Sequence, residues 1–207
     1  MRLELDYMTL DDSDLLGPAP RIVLWFHGCE RNCPGCIAVD WNRKIEPTLA
    51  LGVETVLRFI GSYQDLEGVT ISGGEPFRQD AALGQLVSAL HNRGLGLIIY
   101  TGYTLAELRL DFRVGIRQAL DGCDTLVDGP YDEALDDDQA FRGSSNQTIH
   151  HFTPRYREYF SSSGTRRSVF RQEDGHHYLL GIPDETARQR WADIKRNAGI
   201  APEKGEG

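Results

Sequence analysis

The chain is expected to form an α/β domain built on parallel strands, and two observations carry that expectation. Short, β-branched apolar runs recur as far as Asp128: "RIVLWF" (Arg21–Phe26), "VTIS" (Val69–Ser72), "LGLIIYT" (Leu95–Thr101) and "DTLVD" (Asp124–Asp128). Being continuous rather than alternating, they read as strands covered on both faces, which is the environment of a parallel sheet. Helical patterns lie between them, and strand–helix alternation in steps of roughly 25–45 residues implies right-handed βαβ units.

The elements follow in order. Val53, Val56, Leu57 and Ile60 fall at i, i+3, i+4 and i+7, with Glu54 and Arg58 on the outer face of a first helix. Leu83, Leu86, Val87 and Leu90 repeat the spacing, and Asn92–Gly94 supplies a stop. A third helix starts after Thr104 as N-cap, with Glu107 at the capping-box position. Beyond Pro130 the pattern decays into "YDEALDDDQAFRGSSNQ", read as an acidic and then polar loop. "RRSVFRQ" and "HHYLLGI" flank Glu173–Gly175 as a hairpin. The expectation is one domain over residues 1–207: a core of about 21–150, a C-terminal extension over 151–196 and a frayed tail over 197–207.

With 207 residues, the chain suits a single domain that buries a real core. Hydrophobic content of 40% and charged content of 26% are those of ordinary globular proteins. A formal charge of −9 argues against nucleic-acid or anionic-membrane partners, which need a basic face. No apolar run approaches the roughly 20 residues that cross a bilayer. The opening "MRLELDYMTLDDSDLLG" is acidic and alternating, unlike a signal peptide. The cytoplasm is therefore the expected compartment. Clustered thiols there bind metal or do redox chemistry rather than form disulfides.

Three of the four cysteines, Cys29, Cys33 and Cys36, occur as C-x-x-x-C-x-x-C directly after the first predicted strand. Loops at the C-terminal ends of parallel strands are where α/β folds place their chemistry. Structural zinc takes four ligands, and only a Cys₃His set using His27, at the strand end, would supply them. Gly28, Pro34 and Gly35 mark a turn, which speaks against three buried core thiols. An iron–sulfur cube fits better, because thiolates are its natural ligands and three of them leave one iron open. The second strand runs into "SGGEP" (Ser72–Pro76), where Gly73 and Gly74 permit close approach and Glu75 can accept from an ammonium group; a plain strand-to-helix turn is the other reading. The third ends in "YTGYT" (Tyr100–Thr104) and the fourth in "VDGPY", which carries Asp128. Cys123, Trp25 and Phe26 are assigned to packing, and the pairs His150–His151 and His176–His177 to solvent or local bonds.

The cysteine spacing, followed by "GGE" after the second strand, resembles the radical S-adenosylmethionine (radical SAM) superfamily. That resemblance implies an incomplete (β/α) barrel, a [4Fe-4S] cluster on Cys29, Cys33 and Cys36, and S-adenosylmethionine chelating the open iron. One electron from the reduced cluster then cleaves the cofactor to a 5′-deoxyadenosyl radical. It also implies cofactor contacts at the "GGE" segment, with Ser72, Gly73, Gly74 and Glu75 for the methionine amino group. The hydroxyls and glycine at the end of the third strand, Thr101 and Gly102, are candidate contacts for ribose or carboxylate, a capped entry to the next helix being the other reading of Thr104. Asp128 points toward the same mouth, and Asn146 is the remaining candidate contact. Taken together, "CPGC", "SGGEP", "YTGYT", "DGPY" and "RGSSNQ" (Arg142–Gln147) are similar to the activating proteins of anaerobic ribonucleotide reductase, over about Arg21 to Gln147.

That family implies an oxidoreductase taking a hydrogen atom from a glycine of a glycyl-radical enzyme, with a flavodoxin or ferredoxin type reductant. The chain departs from it after Cys36, where "IAVDW" lacks a frequent asparagine. Gly35 departs from the wider superfamily, which often has an aromatic residue before the last cysteine. Two alternatives stay open: a stand-alone radical SAM enzyme acting on a small molecule or peptide, and a non-enzymatic iron–sulfur or zinc module. A mere metal module has no use for Glu75 and its two glycines.

Overall fold

The computed structural model describes residues 1–38, 46–162, 164–173 and 176–198. Seven strands form one sheet: β1 (Arg2–Asp11), β2 (Arg21–Phe26), β3 (Leu49–Gly52), β4 (Gly68–Gly73), β5 (Gly96–Tyr100), β6 (Thr125–Asp128) and β7 (Thr148–His151), in the order β3-β1-β2-β4-β5-β6-β7. The four expected strands, β2, β4, β5 and β6, lie side by side and parallel. The sheet is mixed rather than purely parallel, because β1 and β7 run antiparallel to the central strands and β3 pairs antiparallel with β1. β1 shows why alternation matters. A flank strand is less evenly covered than a central one, so its sequence mixes polar and apolar residues where β2 is apolar throughout and buried at every position.

Successive residues of β2 feed two different layers. Ile22, Leu24 and Phe26 join the helix-side core, while Val23 and Trp25 pack with Leu15, Leu16 and Leu180 on the opposite face. Helix α1 (Val53–Gly61) buries the expected Val53, Val56, Leu57 and Ile60. Helix α2 (Asp80–His91) buries Leu83, Leu86, Val87 and Leu90, and the Leu95 amide closes its end on the Leu90 carbonyl. The β5–β6 crossover holds two helices, α3 (Leu105–Leu110) and α4 (Val114–Gly122). Thr104 and Glu107 form the expected capping box at the start of α3. Cys123, at the C-terminal end of α4, is buried with its Sγ 3.0 Å from the Thr125 carbonyl.

The irregular C-terminal third expected from the sequence is largely ordered. After β7 comes α5 (Arg157–Ser161), then the expected hairpin as β8 (Ser168–Glu173) and β9 (His176–Gly181), and finally α6 (Glu185–Asn197). Asp184 caps α6 by accepting the Ala187 amide at 2.7 Å. Its sequence hid it because Trp191 is its one buried side chain among the described residues, so no apolar stripe shows. The helix reaches Asn197; of the expected tail, 199–207 lies outside the described residues. The hairpin covers the sheet face opposite α1, α2 and α4, with Tyr178 stacked on Tyr7 at 3.8 Å between ring centroids. No helix among the described residues is long and apolar enough to cross a membrane.

Helices α2 and α4 touch backbone to backbone. A Cβ on Gly84 would sit 2.6 Å from the Gly115 carbonyl oxygen, and one on Gly115 would strike the Asp80 carbonyl. Gly84→Ala and Gly115→Ala should each lower stability by about 1–3 kcal/mol, the usual cost of overpacking. Urea unfolding reads this directly; unchanged midpoints would show that the helices are not in such close contact.

Candidate functional site

The four parallel strands end on one edge of the domain, and the loops that leave them interlock. The Gly74 amide donates to the Phe26 carbonyl at 2.7 Å and the Glu75 amide to the Gly28 carbonyl at 2.9 Å, which zips the exit of β4 to the exit of β2. Gly73 has φ +107°, and a Cβ there would collide with the Phe26 backbone. Only glycine fits. The Glu75 side chain then crosses to the exit of β5. Its Oε1 accepts from the Phe77 amide at 3.0 Å and the Thr101 hydroxyl at 2.9 Å, and its Oε2 from the Gly102 amide at 2.8 Å. Burial raises the Glu75 carboxyl above its usual range, against the pull of these donors and of Arg31. Ser72 is half-buried and pairs with Trp25 in the β2–β4 ladder.

The cysteine loop lies against this seam. Gly28, Asn32 and Gly35 have φ of +79°, +47° and +69°, and the Cys36 amide turns back onto the Cys33 carbonyl at 3.2 Å. All three loop cysteines are free and half-buried. Backbone amides of Arg31 and Asn32 face the Cys29 sulfur, and that of Ala38 faces the Cys36 sulfur. Burial pushes the Cys29 thiol up, reinforced by Glu75, and burial likewise lifts the Cys36 thiol. The loop is held from two sides. Arg31 stands 4.3 Å over the Tyr103 ring and pairs with Glu107 at 3.2 Å. On the other side, Gly35 lies against Glu133, whose carboxylate would be 2.6 Å from any Cβ at that position. With its positive φ, this explains why a glycine precedes Cys36.

The remaining candidate residues sit in the frame around the seam. Asp128 is buried, and its carboxylate accepts from the amides of Leu105 and Thr148, with His150 Nε2 3.1 Å away. Asn146 donates to the Pro130 carbonyl at 2.8 Å and Gln147 to the Gly129 carbonyl at 2.8 Å, so the "RGSSNQ" segment folds back over the exit of β6. His151 bonds Thr125 at 3.0 Å. Residues 39–41 of the "IAVDW" segment lie outside the described residues.

One buried pair at the site escaped the sequence reading. His27 Nδ1 lies 2.9 Å from Asp6 Oδ1, with both side chains buried, where a register shift in β1 falls between Leu5 and Tyr7. A bulge re-aims one side chain and leaves no mark on the residue pattern. Arg31 and Glu133 were missed for a similar reason: each gains its role from an element distant in sequence.

The donor set suits an iron–sulfur cluster. Among the described residues, no three His, Cys, Asp or Glu side chains are grouped to hold one metal ion, and His27 already directs one ring nitrogen at Asp6. A cube asks instead that each thiolate meet its own iron, and amides directed at sulfur are the contacts that tune such clusters.

A family model described as "4Fe-4S single cluster domain" matches residues 15–150. The chain is similar to the "Anaerobic ribonucleoside-triphosphate reductase-activating protein" of Salmonella typhimurium, 31% identical over 145 residues covering 65% of this chain and 90% of the relative. The protein of that name from Vibrio cholerae is 33% identical, over 66% of this chain and 91% of its own length. The one from Pasteurella multocida is 30% identical, over 72% and 99%. QueE from Escherichia coli gives a TM-score of 0.43 at 24% identity, covering 50% of this chain and 54% of its own.

Glu75→Ala should destabilise the metal-free protein, because it orphans donors on Phe77, Thr101 and Gly102 at about 1–3 kcal/mol for each group left buried. Glu75→Gln, which can still accept through one oxygen, should fall between it and the parent. Urea unfolding of the three proteins side by side checks this, and three equal midpoints would remove Glu75 from the frame.

Proposed function

The chain belongs to the 4Fe-4S single cluster domain family and to the family of anaerobic ribonucleoside-triphosphate reductase-activating proteins, and on that premise we propose that it is an oxidoreductase that installs a glycyl radical on a partner reductase of this class. The single observation that carries the reading is the cysteine loop itself: three half-buried thiols, two of them faced by backbone amides, lying against the Glu75 seam. When bound, the [4Fe-4S] cluster supplies the electron that cleaves S-adenosylmethionine, and the cofactor supplies the hydrogen-abstracting group.

The chain's own residues do the rest. Cys29, Cys33 and Cys36 hold the cluster. Because burial lifts the Cys29 and Cys36 thiols, loading must expel their protons, so assembly should be favoured by rising pH. Gly73 and Gly74 let a ligand reach the backbone. Ser72 and the acceptor position still open on Glu75 Oε2 take up the amino group. Thr101 and Gly102 are tied to Glu75 and carry the β5 exit to the cofactor's polar groups. Asp128 and Asn146 serve by holding the rim: Asp128 fixes the start of α3, and Asn146 pins the polar loop over Pro130. In this reading the sheet is an incomplete (β/α) barrel whose open edge admits a glycine-bearing segment of the partner. A flavodoxin or ferredoxin type protein is the reductant, and the cytoplasm is the compartment.

Anaerobic reconstitution tests the proposal. The loaded protein should show cube-type absorption, release 5′-deoxyadenosine with dithionite and S-adenosylmethionine, and give a glycyl-radical resonance on a co-incubated anaerobic reductase. No 5′-deoxyadenosine would sink the reading; 5′-deoxyadenosine without a partner radical would turn it toward a small-molecule or peptide substrate. Cys33→Ala should assemble no cube, since two thiolates cannot hold it, and an intact cube in that variant would refute the ligand assignment.

A further inference from the structure

The C-terminal extension reaches back to the cysteine loop through one side chain. Arg188 lies in the first turn of α6, and its Nη1 donates to the Gly35 carbonyl at 3.0 Å. The guanidinium is itself held in place. It stands 5.1 Å from the centroid of the Tyr131 ring, and its Nη2 lies 3.6 Å from Asp136 Oδ2. Tyr131 donates its hydroxyl to the same carboxylate at 3.1 Å. Arg166, also from the extension and with a side chain only 1% exposed, bonds Asp136 at 2.8 Å and donates to the carbonyls of Gln139, Arg142 and Gly143. Asp136 thus joins two arginines of the extension to the loop that leaves β6, and Arg188 carries that connection to the residue before Cys36.

We propose that Arg188 is a positioning residue that fixes the Cys33–Cys36 turn and raises the reduction potential of the cluster bound there. The inference deepens the functional reading above and rests on it. Reduction adds an electron to an already anionic cluster, and a fixed cation nearby favours the reduced form over the oxidised one. The charge is held close to the cluster ligands, since the guanidinium is hydrogen-bonded to the carbonyl of Gly35, the residue before Cys36. Its hydrogen bond also holds the peptide that sets the direction of Cys36. Arg188 itself lies outside the part of the chain that the family model matches. The model's match ends at residue 150. The extension therefore adds to the cluster loop a cation from beyond the matched region.

Redox titration of the reconstituted protein, followed by electron paramagnetic resonance, tests the charge; the rate of iron release to a chelator tests the positioning. Arg188→Gln should shift the potential to more negative values and speed iron release several-fold. Arg188→Lys should keep most of the potential while still losing iron faster, because the ammonium cannot reproduce the fork that spans Gly35 and Asp136. Urea unfolding of the metal-free variants controls for the fold, and Arg188→Met, which fills the same space, replaces Gln should that variant be unstable. A neutral variant with parental potential and parental iron release overturns the inference while leaving the functional reading intact. A parent protein that assembles no cube overturns both.

Discussion

The arrangement at the strand ends depends on one buried carboxylate. Glu75 has three donors from two other places in the chain, and its own amide is bonded to Gly28 on the cysteine loop. Removing the side chain would leave these donors unanswered in a dry seam, at a cost well above that of any exposed ion pair. The carboxylate thus ties the exit of β5 to that of β4, while the Gly74 and Glu75 amides tie β4 to β2. The cysteine loop and any ligand on it inherit their geometry from that seam.

Around the seam, arginines meet acidic loops. The pair Arg31–Glu107 is half exposed and contributes little energy by itself. Its effect is directional, since Arg31 is also stacked on Tyr103 and so pins the Cys29–Cys33 segment to α3. Arg166 is different: its buried guanidinium has a carboxylate and several carbonyls as partners, and this orders the stretch from Asp136 to Gly143. The acidic segment, which reads as a loop in the sequence, is therefore counter-charge and scaffold. Glu133 abuts Gly35, Asp136 joins the two arginines of the extension, and Asp137 pairs with Arg142 at 2.5 Å.

The two sheet faces divide the labour. The helix side is a conventional apolar core; on the other side Val23 and Trp25 of β2 and Tyr100 of β5 pack with the N-terminal loop and the β8–β9 hairpin, and Thr70 of β4 donates to the Leu16 carbonyl. Trp25 and Leu180 belong to that second layer. Through it the extension is attached to the same strands whose ends carry the site, so its position and that of Arg188 are coupled to the sheet.

What the sequence alone determined was whatever depends on short range. The four parallel strands, the buried faces of α1 and α2, the capping box at Thr104 and the β8–β9 hairpin were legible because periodicity and local hydrogen bonding specify them. So was the grouping of Cys29, Cys33 and Cys36, which lie within a single short loop. The flank strands, α6 and the partners of the site were not legible. Asp6 meets His27 only through the register shift in β1, Glu75 meets Gly102 only once β4 and β5 are paired, and Arg188 meets Gly35 across most of the chain. Such contacts arise from strand register and docking between distant segments, which no local residue pattern encodes. The spacing of the three cysteines was written in the sequence; the shape and charge of their surroundings were decided by the tertiary fold.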